Sequence, residues 1–523
     1  MGSIRLTDSD ILQIKEHGLD TLLVHQYIDS FEKGVDHADI DRPCTLDDGI
    51  AGLDESESAA YADVFEKERK TREIIQFIPA SGSGSRMFRA LFKVYSGTHS
   101  IKKEDIARLS GQKGGEYREL LCFMENLSRF AFFPQLCEKM KKSGLDPEAE
   151  LAAGDYSYFI SYLLFEKGLG YRNFPKGLIQ FHGYPEGPRT PVEEHLVEAS
   201  GYAVGNDGIC HLHFTVSPSH RKRFESFCNK VKERYEKACN MSFDVSFSVQ
   251  SPSTDTIAVD MENRPFRDRN GRLVFRPGGH GSLIGNLNAL KGDVVFIGNV
   301  DNVATDRHKS KRIFWKRVLA GYLFTIEKRI YNYLARLENT SADDEEINRA
   351  LARAREELCV EVPPAVFSLP APKKREYLIG LLNRPIRVCG MVKRTGEPGG
   401  GPFWVRHKDG SRSIQIVETA QIDMKNPDQR AMLQGLTHFN PVNIVASIRD
   451  RHGRPFDLSK FIDQDAFFIT EKSADGRDIK VIEHPGLWNG SMAFWNTFFV
   501  EIPVETFSPV KTVNDLLRDA HLL

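Results

Sequence analysis

Several short stretches of the chain combine residue types that suit phosphate chemistry. The first is Ala80-Ser81-Gly82-Ser83-Gly84-Ser85-Arg86-Met87, which follows an apolar run and precedes a helical pattern. Glycines let the backbone turn tightly and present N–H groups to phosphate oxygens, and a helix N-terminus adds favourable electrostatics. Arg86 adds a forked guanidinium suited to a phosphate. Read alone, Ser81, Gly82, Ser83 and Gly84 fit a phosphate cradle and a simple tight turn about equally. The second stretch, Phe174-Pro175-Lys176-Gly177, offers a point charge for a phosphorus at which negative charge builds during in-line attack. By itself it also describes a surface lysine beside a turn.

The third is Gly298-Asn299-Val300-Asp301-Asn302, after the apolar run Val294-Val295-Phe296-Ile297. Ligands of open α/β sheets gather outside the carboxyl ends of strands. Asp301 is therefore well placed for Mg²⁺, a hard cation that prefers carboxylate and phosphate oxygens; an Asx turn closing the strand is the competing reading. Arg276 to Ser282 holds the loop Gly279-His280-Gly281, which could approach a flat base or a sugar closely. Gln250, at the end of another apolar stretch, has an amide suited to a base edge or ribose, and would look the same on a plain surface.

These motifs need elements to hold them. Apolar residues at helical spacing run from Leu6 to Gly18, with Thr7 or Asp8 able to cap, and a second helix reaches about Lys33. Thr71 to Ala80 reads as a strand, giving a strand–glycine loop–helix unit that continues to Tyr95. Residues 102–167 are helical again and rich in Leu, Phe and Tyr. Strands are expected at Gly177 to Phe181, His211 to Val216, Val245 to Val249 and Val294 to Asn299. Helices fall between them at Pro191 to Ala199 and about His220 to Cys239. Such alternation predicts an α/β fold with a doubly wound, mostly parallel sheet, plus N-terminal and inserted helical segments.

The expected organisation is an N-terminal helical segment at 1–60 and a core at 61–345, with a helical insertion at about 98–170. A helix and Pro-rich linker follow at 346–375, then a C-terminal part at 376–523. Long helices over Arg312 to Leu358 break at the polar run 339–346. A polar helix is expected from Thr512. The run Gly396 to Gly401 reads equally as a lid or a plain turn.

The 523 residues suit several packing units. Lys plus Arg (70) nearly balance Asp plus Glu (72), so a general nucleic-acid or membrane-surface binder is not expected. Eight cysteines without a CxxC pair fit reduced thiols. The polar start lacks a secretory apolar run, and Gly2-Ser3 lacks the following Ser or Thr of an acylation signal. A cytoplasmic location is the expectation. The charge runs Lys309 to Arg312 and Lys373 to Arg375 read as solvated surface, and His182, His195 and His220 show no ligand spacing.

Taken in order, the motifs resemble the UDP-sugar pyrophosphorylase type of nucleotidyltransferase. The glycine loop Ser81 to Met87, Pro175-Lys176, Gln250 with Gly279-His280-Gly281, and Asn299 to Asn302 are similar to that family's segments. So are Val417-Glu418-Thr419-Ala420-Gln421, Trp488-Asn489-Gly490-Ser491 with Trp495-Asn496-Thr497, and Phe507 to Leu517. The chain also resembles an uncharacterised bacterial domain family. It departs from the pyrophosphorylases where the Pro-Lys step is far from the glycine loop, where the loop reads Ser-Gly-Ser-Gly-Ser, and where Ser282 follows Gly-His-Gly in place of Asp.

The resemblance implies a sheet of nucleotide-diphospho-sugar transferase type, a nucleoside triphosphate and a phosphorylated sugar as partners, and Mg²⁺ on Asp301. It implies Arg86 beside the triphosphate, Lys176 on its α-phosphate and Lys511 on the sugar phosphate. Gln250 and Gly279 to Gly281 would face base or ribose, and Glu418, Asn489 and Asn496 the sugar hydroxyls. A catalytically silent nucleotide-binding protein and a glycosyltransferase are the competing readings. The latter normally wants Asp-x-Asp, where this chain has Asp301-Asn302.

Overall fold

The computed structural model describes residues 6–98, 100–338, 343–396, 399–439, 443–474 and 476–523. Gly2 and Ser3, residues 339–342 of the polar run, and Glu397 and Pro398 of the glycine run lie outside these. The chain divides into two compact units, one of residues 1–75, 248–297 and 315–504, the other of 76–247, 298–314 and 505–523.

In the first unit the N-terminal helices begin where their caps require. Thr7 exchanges bonds with Asp10 ahead of Asp8–Glu16, and Asp20 caps Thr21–Lys33. Their apolar stripe (Ile14, Val24, Ile28, Phe31) packs on Ile257, Val259 and Ile482. These belong to a four-stranded sheet ordered Phe468–Ala474, Arg477–Glu483, Asp255–Val259, Phe275–Pro277. Arg267 grips the Asp10 carboxylate from helix one at 2.7 and 2.8 Å and holds it well below the usual carboxylate range.

The unit's larger sheet is mixed. Ile386–Met391 runs parallel to Asn496–Glu501, and that strand parallel to Gly49–Ala51. Asn443–Ser447 runs antiparallel to both Ile386–Met391 and Val294–Ile297. Ile386–Met391, Asn443–Ser447 and Val294–Ile297 are buried at every position, as strands covered on both faces must be. A further sheet is ordered Ile40–Pro43, Gly401–Arg406, Arg412–Val417, Val360–Glu361. The prolines of 363–372 open helices here. Pro364–Phe367 and Ala371–Leu382 carry Pro in the first turn, where its missing N–H costs nothing.

In the second unit, Ile74–Pro79 pairs in parallel with Cys210–Val216 from Gln76 to Pro79, and Ala80 N–H continues to Thr215 O at 2.8 Å. The expected Gly177–Phe181 strand is absent. Lys176–Leu178 is a single 3₁₀ turn, because the Lys176 N–H is taken by Gly82 O at 2.9 Å and so joins no ladder. The expected helix from Thr512 is likewise a short 3₁₀ segment, Val513–Leu517. Helices Arg89–Thr98, Lys103–Lys113, Gly115–Glu125, Phe133–Lys142, Pro147–Ala152 and Ser157–Leu164 occupy the region read as helical. They bury an aromatic core of Phe88, Phe123, Phe130, Phe132 and Phe159. Val303, Val510, Val513 and Leu516 share that core, so the inserted helices support the chain on either side of Asp301 and Lys511.

Candidate functional site

In the second unit, motifs that are distant in sequence become neighbours. Gly84 N–H donates to Phe174 O at 2.8 Å, Ser83 bridges to Pro175, and Lys176 N–H donates to Gly82 O. The glycine loop and the Pro-Lys step are thus two sides of one small backbone zipper. Gly84 is required there, since a Cβ would lie 2.3 Å from Tyr171 O, whereas at Gly82 a Cβ would meet nothing within 4 Å. Ser83 and Ser85 share a hydroxyl bond of 2.8 Å. Arg86 is exposed, and its side chain makes no hydrogen bond or ion pair among the described residues.

From this zipper the Lys176 ammonium donates to Asp301 Oδ2 at 2.6 Å, with the two side chains only 12% and 23% exposed. Asp301 is fixed through its own backbone. Val510 N–H donates to Asp301 O, Asn302 pairs with Pro509, and Ser508 N–H donates to Asn302 Oδ1. Lys511 follows at once, its N–H and that of Thr512 turned onto Asp515 Oδ2 at 2.7 and 2.6 Å, while Val513 N–H reaches Met87 O. The structure therefore brings together the glycine loop, Lys176, Asp301 and the Lys511 segment.

What lies beneath was missed in the sequence. Lys309 and Arg312, read as surface charge, are 4% and 1% exposed. Lys309 pairs with the Glu194 carboxylate and Ala304 O. The Arg312 guanidinium binds Glu198 Oε2, Thr506 O and Asn302 O at 2.8, 2.7 and 2.6 Å, clamping the chain next to Asp301. Glu194 also meets His182 Nδ1 at 2.7 Å, and His182 Nε2 meets His521 Nδ1 at 2.8 Å. Burial pushes both imidazoles down, His521 to about 2. Lys309 and Arg312 look solvated in sequence because the partners that bury them are remote along the chain, whereas Lys311 between them and Lys373 of the later run are exposed as read.

In the first unit, Gln250 Nε2 donates to Thr254 Oγ1 at 3.2 Å. Gly279 has φ of +79°, and a Cβ on Gly281 would lie 2.0 Å from Pro485 O, so this loop packs directly on the 484–487 backbone. His280 Nδ1 accepts from Leu487 N–H at 3.0 Å, which leaves the proton on Nε2, 3.5 Å from Glu418 Oε1. The His280 ring stacks on Trp488, centroids 4.7 Å apart. Asn489 Nδ2 donates to Gln421 Oε1 at 3.1 Å, while its Oδ1 is buried without a partner. All three side chains converge on bare Gly486. A Cβ there would lie 2.4 Å from Asn489 Oδ1, 2.7 Å from His280 Cε1 and 2.8 Å from Glu418 Oε1. Asn496 is anchored instead to Leu382 O at 3.1 Å, and with Asn489 it lines a cavity of about 660 Å³.

Among the described residues, no three His, Cys, Asp or Glu side chains stand together as a metal site. A lone carboxylate suits only a cation that takes its remaining ligands from water and phosphates, which is the habit of Mg²⁺. Asp301 Oδ1 accepts no hydrogen bond among the described residues, so the donor fits that ion. No helix among them is long and apolar enough to cross a membrane.

These features define a mixed α/β protein with a glycine loop zipped to a lysine–aspartate pair. Residues 7–522 match the family described as Domain of unknown function (DUF4301), and the chain belongs to it. No curated protein matches at a significant level. Among solved structures it is similar to a uridine diphosphate N-acetylglucosamine pyrophosphorylase from Trypanosoma brucei, at 12% identity and TM-score 0.48 over 98% of this chain and 79% of that one. A UDP-glucose pyrophosphorylase from Leishmania major aligns at 12% identity and TM-score 0.41 over the same shares. A putative UDP-N-acetylglucosamine pyrophosphorylase from Entamoeba histolytica aligns at 12% and 0.42, over 89% and 83%.

Proposed function

We propose that the chain is a nucleotidyltransferase that joins a nucleoside triphosphate to a sugar 1-phosphate and releases pyrophosphate. The observation that carries the reading is the Lys176–Asp301 pair, 2.6 Å apart and set on the glycine-loop zipper. A sugar-phosphate oxygen attacks the α-phosphorus, the bond to the β-phosphate bridging oxygen breaks, and pyrophosphate leaves with the electron pair. Phosphate is already ionised near neutral pH, so no Ser–His or Cys–His device is needed. The protein's task is to align two polyanions and offset their repulsion.

In this reading Ser81 to Gly84 offer backbone N–H groups to the triphosphate, with Arg86 beside it. Lys176 turns from Asp301 to the α-phosphate, and Lys511 takes the sugar phosphate. Asp301 would hold Mg²⁺, which when bound supplies positive charge to the phosphate oxygens. Gln250 and Gly279 to Gly281 serve base or ribose, and Glu418, Asn489 and Asn496 serve sugar hydroxyls. A cytoplasmic location and a doubly wound sheet belong to the same reading.

The test is a matrix of common nucleoside triphosphates against common sugar 1-phosphates, read by pyrophosphate release with Mg²⁺ and with EDTA. Release for at least one pair, abolished by EDTA, is expected. A second reading, a silent nucleotide-binding protein, is favoured by one feature: Lys176 and Asp301 already neutralise each other. Calorimetric binding of a triphosphate without release under any sugar phosphate would select it.

A further inference from the structure

The cavity of about 660 Å³ lies wholly in the first unit and is of the size that encloses a small organic molecule. His280, Glu418 and Gly486 are not among its lining residues, so it is separate from the cradle that they form with Asn489. Tyr377, Phe494 and Trp495 supply aromatic surface, and Arg384, Asp409 and Asp463 supply charge. Besides Asn489 Oδ1, two polar atoms buried in the wall, Trp495 Nε1 and Gln415 Oε1, have no hydrogen-bond partner among the described residues. Buried polar groups are normally paired, so an orphaned donor and acceptor in one wall point to a polar occupant.

The charges of the wall divide into paired and unpaired ones. Arg406 is paired with Asp39 and Asp41, and Lys408 with Asp465. Arg384 is half-buried and gives its Nε–H to Gly380 O at 2.9 Å, while its two Nη groups make no hydrogen bond or ion pair among the described residues. Burial pushes this guanidinium down, and the opposing pull of Tyr377 and Asp409 recovers only part of the loss. The carboxylates around it therefore leave it short of a negative partner. Asp463 accepts the Asp465 N–H on Oδ1 at 3.1 Å, and Asp409 accepts from Ser411 on Oδ1 at 2.9 and 2.6 Å. The Oδ2 of each accepts nothing among the described residues. Exposed Asp36 adds a third carboxylate to the lining. His407, held neutral by burial, feels Asp409, Asp463 and Arg384 together, so unpaired charges of both signs stand around one imidazole.

A carboxylate alone would satisfy Arg384 and be repelled by Asp409 and Asp463. An ammonium alone would satisfy the carboxylates and leave the guanidinium unpaired, which is costly for a half-buried cation. A molecule without charge would leave both signs unmet. One that bears a carboxylate at one end and an ammonium at the other meets both, and its body lies against Tyr377, Phe494 and Trp495. We propose that this cavity binds a zwitterion of amino-acid type, its carboxylate on Arg384 and its ammonium on Asp463. Such binding needs no turnover and does not rest on the proposed function. Asn489 and Asn496, which line the cavity and are given to sugar hydroxyls in that reading, make a sugar the rival occupant.

The test is titration calorimetry on the full chain with phenylalanine, which carries both charges, and with phenylpropionate and phenylethylamine, which carry one each. Phenylalanine is expected to bind at least about tenfold more tightly than either analogue. Arg384→Met should weaken phenylalanine about tenfold and leave phenylethylamine unchanged. Asp463→Asn should weaken phenylalanine about tenfold and leave phenylpropionate unchanged. Asp463→Asn is nearly isosteric and keeps the charge pattern testable should Arg384→Met fail to fold, which thermal melts of the free variants report. A change in Trp fluorescence with phenylalanine, lost in Trp495→Phe, ties the binding to this cavity. No binding by any of the three, equal binding by all, an undiminished preference for phenylalanine in both charge variants, or displacement of phenylalanine by glucose 1-phosphate overturns the assignment. Pyrophosphate release, present or absent, bears on the proposed reaction alone.

Discussion

Removing the charge of Lys176 separates a structural ion pair from a catalytic one. At an effective dielectric of about 20, two unit charges at the observed 2.6 Å attract by roughly 6 kcal/mol before costs. Desolvation and side-chain ordering cancel most of this. With exposures of 12% and 23%, the pair falls between exposed pairs at about 0–1 kcal/mol and buried ones, whose disruption costs about 3–5 kcal/mol. Lys176→Met should therefore destabilise the fold by about 1–2 kcal/mol, leaving a folded protein. If Lys176 stabilises charge on the α-phosphate, turnover falls at least about a hundredfold, far more than such a loss of stability explains. Asp301→Asn should behave alike. The double variant is decisive, because it leaves neither charge orphaned. It should recover part of the stability lost by either single change, yet none of the activity. Urea unfolding and pyrophosphate release on the same preparations measure both quantities. Near-normal turnover by Lys176→Met, or recovery of turnover by the double variant, refutes the role given to the pair.

Gly84→Ala should cost about 1–3 kcal/mol and weaken triphosphate binding, because its Cβ would strike Tyr171 O, whereas Gly82→Ala should be stable; thermal melts and calorimetry compare them. Gly486→Ala should raise the sugar-phosphate KM at least about tenfold, since its methyl fills the cradle of His280, Glu418 and Asn489. Arg312→Met removes a buried guanidinium from Glu198 and from the carbonyls of Thr506 and Asn302, and should destabilise by about 3–5 kcal/mol in urea titrations. For His521 the sign follows from its depressed titration, lowered first by burial and then by His182, Arg312 and Arg518. The unfolded chain takes up a proton below about pH 6.5 that the folded chain refuses down to about pH 2, so stability is full above that window and falls as pH drops through it. The slope from this group is at most about 1.4 kcal/mol per pH unit, and His521→Leu should flatten it between pH 7.5 and 5.5 in urea midpoints.

The local parts of this molecule were open to inspection in its sequence because their causes are local. Thr7 and Thr190 announce helix starts through bonds to Asp10 and Glu193 a turn later, and the glycine-loop helix follows from a strand running into Ser-Gly-Ser-Gly. The closeness of Lys176 to Asp301 was legible only through the order of motifs. No rule of spacing says that residues so far apart will share a proton donor and acceptor. The buried ions show why the rest was hidden. Lys309 and Arg312 are spelled like any solvated helix face, and it is Glu194 and Glu198, on the helix Pro191–Ala199, together with the carbonyls of Ala304, Thr506 and Asn302, that give them a reason to be inside. Of the three buried carboxylates on that helix, Glu193 meets Arg234, while Glu194 and Glu198 each meet a cation from the helix beginning at Asp306, and Arg312 also grips the carbonyl of Asn302. A site that must hold a lysine and an aspartate ready for a polyanion cannot fix them by that polyanion's charge. It fixes the backbone beneath them with pairs already satisfied, and so Lys309–Glu194 and Arg312–Glu198 lie one layer below the residues proposed to do the chemistry.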